Sequence, residues 1–176
     1  IIIKVLRPMI RETLKYDLRL LNTFMRRFYL KLTSKNIDTD SRQALQDFSE
    51  ATMGETNYRA EAAFGVELYN AYKDSRALYI PETFVELCTD NIIVQEYVGG
   101  ISVAHLVGLK EQGVDVRTYV KEQIGSNLET QMETLGYELL RGAFDMPHVQ
   151  GDPHPGNIRL LPNDQVGLID FGISAR

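Results

Sequence analysis

Asp152, Asn157 and Asp170 are the residues of this 176-residue chain whose types and spacing could do chemistry. The first two lie five positions apart in "GDPHPGNI", residues 151–158. Two glycines and two prolines in that stretch exclude both helix and regular strand. Thirteen residues beyond Asn157, "VGLIDFG" brings Asp170 to a glycine turn. An Asp and an Asn on one loop, with a second Asp across a hairpin, offer oxygens that can converge on a hard cation such as Mg²⁺. Such a cation takes one or two protein ligands and completes its shell with phosphates and water. Asp152 is then free to orient or deprotonate a nucleophile. Asp-x-x-x-x-Asn followed by Asp-Phe-Gly is the spacing of the phosphoryl-transfer template. The prolines and glycines hold the loop rigid, so little ordering entropy is lost during reaction. "DFG" alone is a common strand ending; its placement one hairpin after "DPHPGN" is the specific signal. His154 could extend an Asp-x-His metal pair, but between two prolines it reads better as a local brace.

These residues need a scaffold. "IRLL", the turn "PND" and "VGLID" predict a hairpin carrying Asp170. Before the loop, Val120, Ile124, Leu128, Met132, Leu135 and Leu139 share one helical face, predicting one long core helix. "TFVELCT" and "NIIVQEYV" read as a strand pair joined by "DN", and Gly99–Gly100 as a junction. In a two-lobed nucleotide binder, backbone groups near Glu96, Tyr97 and Val98 would meet the adenine. "IIIKV" reads as a buried strand carrying Lys4. A buried ammonium requires a partner, whereas a Lys on an edge strand serves as a guard against aggregation. For a helix acid to pair with Lys4, "GETNYRAEAAF" offers Glu55 and Glu61. They stand roughly 120° apart around a helix, so only one of them can face Lys4. Helices are expected over 8–32, with Ile10, Leu14, Leu18, Leu21, Met25, Phe28 and Leu32 in the apolar stripe, and over 41–74 with a weak point at Gly54.

Composition bounds the rest. The chain is 44% hydrophobic and 24% charged, with no run of eighteen apolar residues, so no bilayer span is expected. No secretory pattern opens it; "IIIKVLRP" reads as a strand already under way, as in a piece of a longer protein. Cys88 is the only cysteine, which excludes an internal disulfide and suits a reducing compartment; its setting suggests a packing role. Net charge is −5, yet residues 1–35 carry +7. Arg7, Arg11, Lys15 and Arg19 form a stripe that reads either as a solvated face or as contact with an anionic membrane surface.

Together, "IIIKVLRP", "GETNYRAEAA", "YIPETFVELCTDNIIVQEYVGGISV", "GDPHPGNIRL" and "VGLIDFGISAR" resemble the UbiB-like atypical protein kinases, a family associated with coenzyme Q biosynthesis. The resemblance implies an α+β fold, a partial protein-kinase-like two-lobed structure. Residues 1–98 would form part of a small β-containing N-lobe with a helical insertion at about 8–50, and residues 99–176 the front of a mainly helical C-lobe. It makes Lys4 the strand lysine and Glu61 its helix glutamate, Asp152 the catalytic-loop Asp, and Asn157 and Asp170 the metal ligands. Glu55 falls on the first residue of the family's Glu-x-Asp element, whose third position is Asn57 here. The family's Lys-x-Gly-Gln extension and alanine-rich nucleotide loop would precede residue 1, and further C-terminal helices would follow residue 176; these are partners of the same chain.

The implied function is Mg²⁺-dependent ATP binding with slow hydrolysis or phosphoryl transfer, supporting isoprenoid quinone or lipid metabolism. The setting is cytoplasmic and peripheral to a membrane, with anionic lipid or quinone-pathway proteins as partners and no nucleic acid. Two alternatives stand beside it. Small-molecule phosphotransferases of the aminoglycoside or choline kinase type carry a similar loop, although "KVLRP" and "ETNYRAEA" favour the UbiB-like reading. A nucleotide-gated, non-catalytic scaffold would keep the site without the transfer. A plain metallohydrolase using Asp152, His154 and Asp170 would need more ligands than the sequence supplies.

Overall fold

The elements follow from where helical periodicity is broken and restarted. The structure, a computed structural model, describes residues 1–25, 27, 38–145, 149–150, 154–171 and 174–175. Strand β1 (Ile2–Val5) is followed by α1 (Ile10–Phe24). Helix α1 starts after Pro8, at Met9, which takes a left-handed φ of 59° without a capping side chain. The expected helix of 8–32 is thus later at its start, and its positions 26 and 28–32 lie outside the described residues. The predicted 41–74 stretch is two helices, α2 (Asp38–Gly54) and α3 (Tyr58–Tyr72). They part at the weak point around Gly54, and the Asn57 side chain caps α3 by accepting from the Ala60 amide.

Two strand expectations change. "TFVELCT" is not a strand: it carries a 3₁₀ turn at Val85–Leu87 and a single bridge from Thr83 to Gln95. Cys88 shapes that turn, its Sγ facing the Phe84 carbonyl and accepting from the Val94 amide. Strand β3 (Ile92–Gln95) pairs with β1 instead, antiparallel, with Lys4 opposite Ile93. β1 itself is largely exposed rather than buried, Ile1, Ile2, Ile3 and Val5 facing outward. Among the described residues β3 is its only strand partner.

The four-stranded sheet has the order β2-β7-β6-β4, formed by Leu78–Tyr79, Val166–Leu168, Ile158–Leu160 and Ile101–Ser102. β6 and β7 are the expected hairpin, closed by Asn163 and Asp164 in left-handed conformation. A short pair, β5 (Val149–Gln150) with β8 (Ser174–Ala175), completes the described strands. Helices α4 (Val103–Glu111), α5 (Val116–Ile124) and α6 (Leu128–Asp145) cover the sheet. The long core helix is therefore broken. Gly125 ends α5 at φ 71°, and Ser126 turns its hydroxyl to the Leu161 carbonyl at 3.0 Å. The apolar face continues across the break because Val120, Ile124, Leu128, Met132 and Leu135 all reach the same core as Phe64, Leu160, Val166 and Phe171.

Gly100 joins β3's connection to β4 at φ 78°, and a Cβ there would stand 2.2 Å from the Leu160 carbonyl oxygen. Replacing Gly100 by Ala should therefore cost more than about 2 kcal/mol, combining left-handed strain with a backbone clash. Urea midpoints will show it; an unchanged midpoint would contradict the close approach.

Candidate functional site

Alternation along β1 turns Lys4 away from its exposed neighbours and toward α3. Helix α3 begins at its Asn57 cap, and one turn in it presents Glu61, an acid left only 7% exposed. Such burial requires a counter-charge. Lys4 Nζ donates to Glu61 Oε1 at 3.0 Å and to the Ile169 carbonyl at 3.4 Å, and lies 3.4 Å from Asp170 Oδ1. One ammonium thus joins β1, α3 and the residues that follow β7. Of the two acids offered by the sequence, Glu61 faces Lys4, while Glu55 is exposed at the end of α2.

Burial is the largest influence on Glu61 and pushes its carboxyl above the ordinary 4.5; Lys4 offsets part of this, and Asp170 pushes the same way as burial. Tyr58, three positions earlier on the same face of α3, has its phenol pushed up by burial first and by Glu61 next. Sequence reasoning passed over Tyr58, although its i,i+3 relation to Glu61 was available.

Asp170 owes its place to the hairpin and to its neighbour. The Ile169 amide donates to the Asn157 carbonyl at 3.0 Å, which sets the end of β7 beside the loop. Phe171 is buried and meets Phe64 of α3 edge-on, ring centroids 6.4 Å apart. Gly65 makes room for it: a Cβ there would come within 2.8 Å of Thr83 Oγ1 and 3.2 Å of the Phe171 ring. Thr83 is held in turn by Gln95, whose buried amide donates to it at 3.1 Å.

The loop is braced as its prolines suggested. Pro155–Asn157 form a 3₁₀ turn, His154 Nδ1 accepts from the Gly156 amide at 3.1 Å, and the Asn157 amide donates to the His154 carbonyl at 2.8 Å. Asp152 lies outside the described residues. Glu96, Tyr97 and Val98 follow β3. The Glu96 carboxylate turns to Tyr79, whose hydroxyl donates to it at 2.7 Å, and accepts from the Glu82 amide at 3.4 Å. Burial, then Glu96, pushes the Tyr79 phenol up to about 12, so it stays a donor at any ordinary pH. Tyr97 is exposed, and Val98 is buried against Gly167 of β7.

A strand lysine paired with a helix glutamate, with Asp170 beside the ammonium, is the arrangement of a kinase-like fold. The family model for the ABC1 atypical kinase-like domain matches residues 1–176, and the chain belongs to that family. It is 32% identical over 178 residues to the Probable protein kinase UbiB of Shewanella pealeana, covering 98% of this chain and 30% of that protein. To the Probable protein kinase UbiB of Yersinia pestis it is 28% identical over 177 residues, again covering 98% and 30%. The chain therefore spans about 30% of the length of these curated relatives. Among solved structures it resembles the complex structure of Rv3197-erythromycin from Mycobacterium tuberculosis. The TM-score is 0.71 and the identity 27%, covering 98% of this chain and 39% of that one. The fold is a partial kinase-like fold of α+β class.

Two outcomes follow from this geometry. Because folding raises the Glu61 pKa above 4.5, the folded state holds the proton more tightly. Stability from this group is present below the unfolded value and is lost as pH rises through the folded one. Wild type should lose stability relative to Glu61→Gln as pH rises from the ordinary carboxylate value through the raised one, read as urea midpoints; a constant difference would refute it. Gly65→Ala should cost about 1–3 kcal/mol by forcing Thr83 and Phe171 apart, measured by the same unfolding; a neutral effect would mean that Phe171 is free to move.

Proposed function

We propose that this chain supplies the ion pair, hinge and metal-binding elements of a Mg²⁺-dependent ATP-binding atypical kinase or ATPase. The observation that carries the reading is Lys4 Nζ set between Glu61 Oε1 at 3.0 Å and Asp170 Oδ1 at 3.4 Å. Residues 1–98 act as the N-lobe portion and 99–176 as the C-lobe portion. In this reading Lys4 holds nucleotide phosphates, Glu61 keeps its ammonium on station, and the backbone of Glu96–Val98 meets the base. Burial of Glu61 favours this arrangement, because its carboxylate has no better partner than the ammonium.

Asn157 and Asp170 would hold Mg²⁺. Among the described residues no three His, Cys, Asp or Glu side chains gather into a closed metal cage. An amide and a carboxylate oxygen on neighbouring backbone suit a cation that keeps water and phosphate in its shell. When bound, the ion would neutralise phosphate charge. Asp152, carried by its place in the motif, would orient the nucleophile. Support for isoprenoid quinone or lipid metabolism, and a peripheral position at a membrane, rest on the resemblance to UbiB-like proteins. No described helix is long and apolar enough to cross a membrane.

The test is thermal unfolding of the full-length protein with MgADP, beside Asp170→Asn. At a hundred times its dissociation constant, a ligand of the folded state adds about 2.7 kcal/mol. A magnesium-dependent rise in Tm, absent from the variant, is expected. No rise in either protein would sink the nucleotide reading. Turnover of ATP without any phosphorylated protein would assign the ATPase rather than the kinase.

A further inference from the structure

Arg11 is one of four residues, Arg7, Arg11, Lys15 and Arg19, in the basic stripe read from the sequence, yet it differs from the others. Arg7, Lys15 and Arg19 are exposed, whereas Arg11 is half-buried. Its Nη1 donates to Asn91 Oδ1 at 2.9 Å, and its Nη2 donates to the Thr56 carbonyl at 2.9 Å and to the Asp90 carbonyl. Thr56 is buried immediately before the Asn57 cap of α3. Asp90 and Asn91 form the turn that leads into β3. That turn has two further ties: the Leu6 amide at the end of β1 donates to the Asn91 carbonyl at 2.8 Å, and Arg59 of α3 pairs with Asp90.

One guanidinium therefore indexes the start of α3 against the strand pair that carries Lys4. Glu61 lies five residues past Thr56, and Lys4 two residues before Leu6. A planar fork with several fixed donors suits this task, since it fixes direction as well as distance. The Arg59–Asp90 pair is largely exposed and contributes little by itself. We propose that Arg11 is a positioning residue: by clamping the start of α3 to the 90–91 turn, it holds Glu61 within reach of Lys4. Helix α1 thereby becomes part of the machinery of the site. The inference deepens the nucleotide-binding reading above and rests on it for its effect on ligand affinity.

The experiment uses the full-length protein with Arg11→Ala, Glu61→Gln, the double variant, and Arg117→Ala as a control that removes an exposed pair with Glu129. Hydrogen exchange should rise about tenfold in the first two turns of α3 in Arg11→Ala. It should not rise there in Arg117→Ala. Exchange that is unchanged in α3, or that rises equally in α5 and α6, would overturn the clamp. MgADP affinity by calorimetry should fall about tenfold in Arg11→Ala, and should fall no further when Arg11→Ala is added to Glu61→Gln. Additive losses would show that Arg11 acts elsewhere and would overturn the proposal. If wild type binds no MgADP, the nucleotide reading fails, and the exchange pattern decides the clamp alone.

Discussion

The Lys4 ammonium is the point on which the arrangement depends. A carboxyl as buried as that of Glu61 is unfavourable in an apolar setting, and removing one partner of a buried ion pair typically costs about 3–5 kcal/mol. Burial still outweighs Lys4 in the pKa of Glu61, so the pair is not a source of large net stability. What it does is fix geometry. β1 and α3 are far apart in sequence, and Asp170 lies farther still, yet all three meet around one nitrogen. An arrangement in which α3 turned slightly would leave Glu61 buried without its cation.

The remainder of the fold supports that meeting. Hairpin β6–β7 delivers Asp170, and its turn is tied down by buried polar groups. Gln131 donates to the Leu161 and Gln165 carbonyls at 2.8 Å each, and the Asn127 amide donates to Asp164 at 2.6 Å. These bonds explain why the helical stretch breaks between α5 and α6: the break supplies Ser126 and the first turn of α6 to satisfy the hairpin's own backbone, and the Asn127 amide to meet the Asp164 carboxylate. On the other side of the site, Phe171 packs where Gly65 leaves space, so α3 meets Phe171 in van der Waals contact as well as Asp170 through the Lys4 charge. Tyr79, on the strand paired with β7, reaches Glu96, which links the stretch after β3 to the same sheet.

The chain belongs to the ABC1 atypical kinase-like family, has a partial kinase-like fold and spans about 30% of the length of the curated relatives it matches. The outward-facing residues of β1 are apolar, and among the described residues it pairs with β3 alone; an isolated two-strand ribbon is only marginally stable. Helix α1 is tied through Arg11 to Thr56 and to the 90–91 turn, and Arg7 before it and Lys15 and Arg19 on it face solvent.

Much of this was legible in the residues themselves. Proline and glycine marked the turn at 154–157, "PND" announced the hairpin, Gly54 marked the division of α2 from α3, and the spacing of Asn157 and Asp170 set them at the two ends of one hairpin. These are local signals, written in backbone preference and short spacing. Sequence alone left Glu55 and Glu61 both open as partners for Lys4, because nothing local says how a helix is rotated against a distant strand. It also read "TFVELCT" as a strand from its β-branched and aromatic content. The structure gives β3 to β1 instead, since strand pairing is decided by long-range contact. The continuous apolar face from Val120 to Leu139 concealed a break imposed by the hairpin's unsatisfied carbonyls. Arg11 looked like one charge in a solvated stripe; only the tertiary structure brings Thr56, Asp90 and Asn91 to it. Local propensity determined the elements, and the burial of a few charged and polar groups decided how they meet.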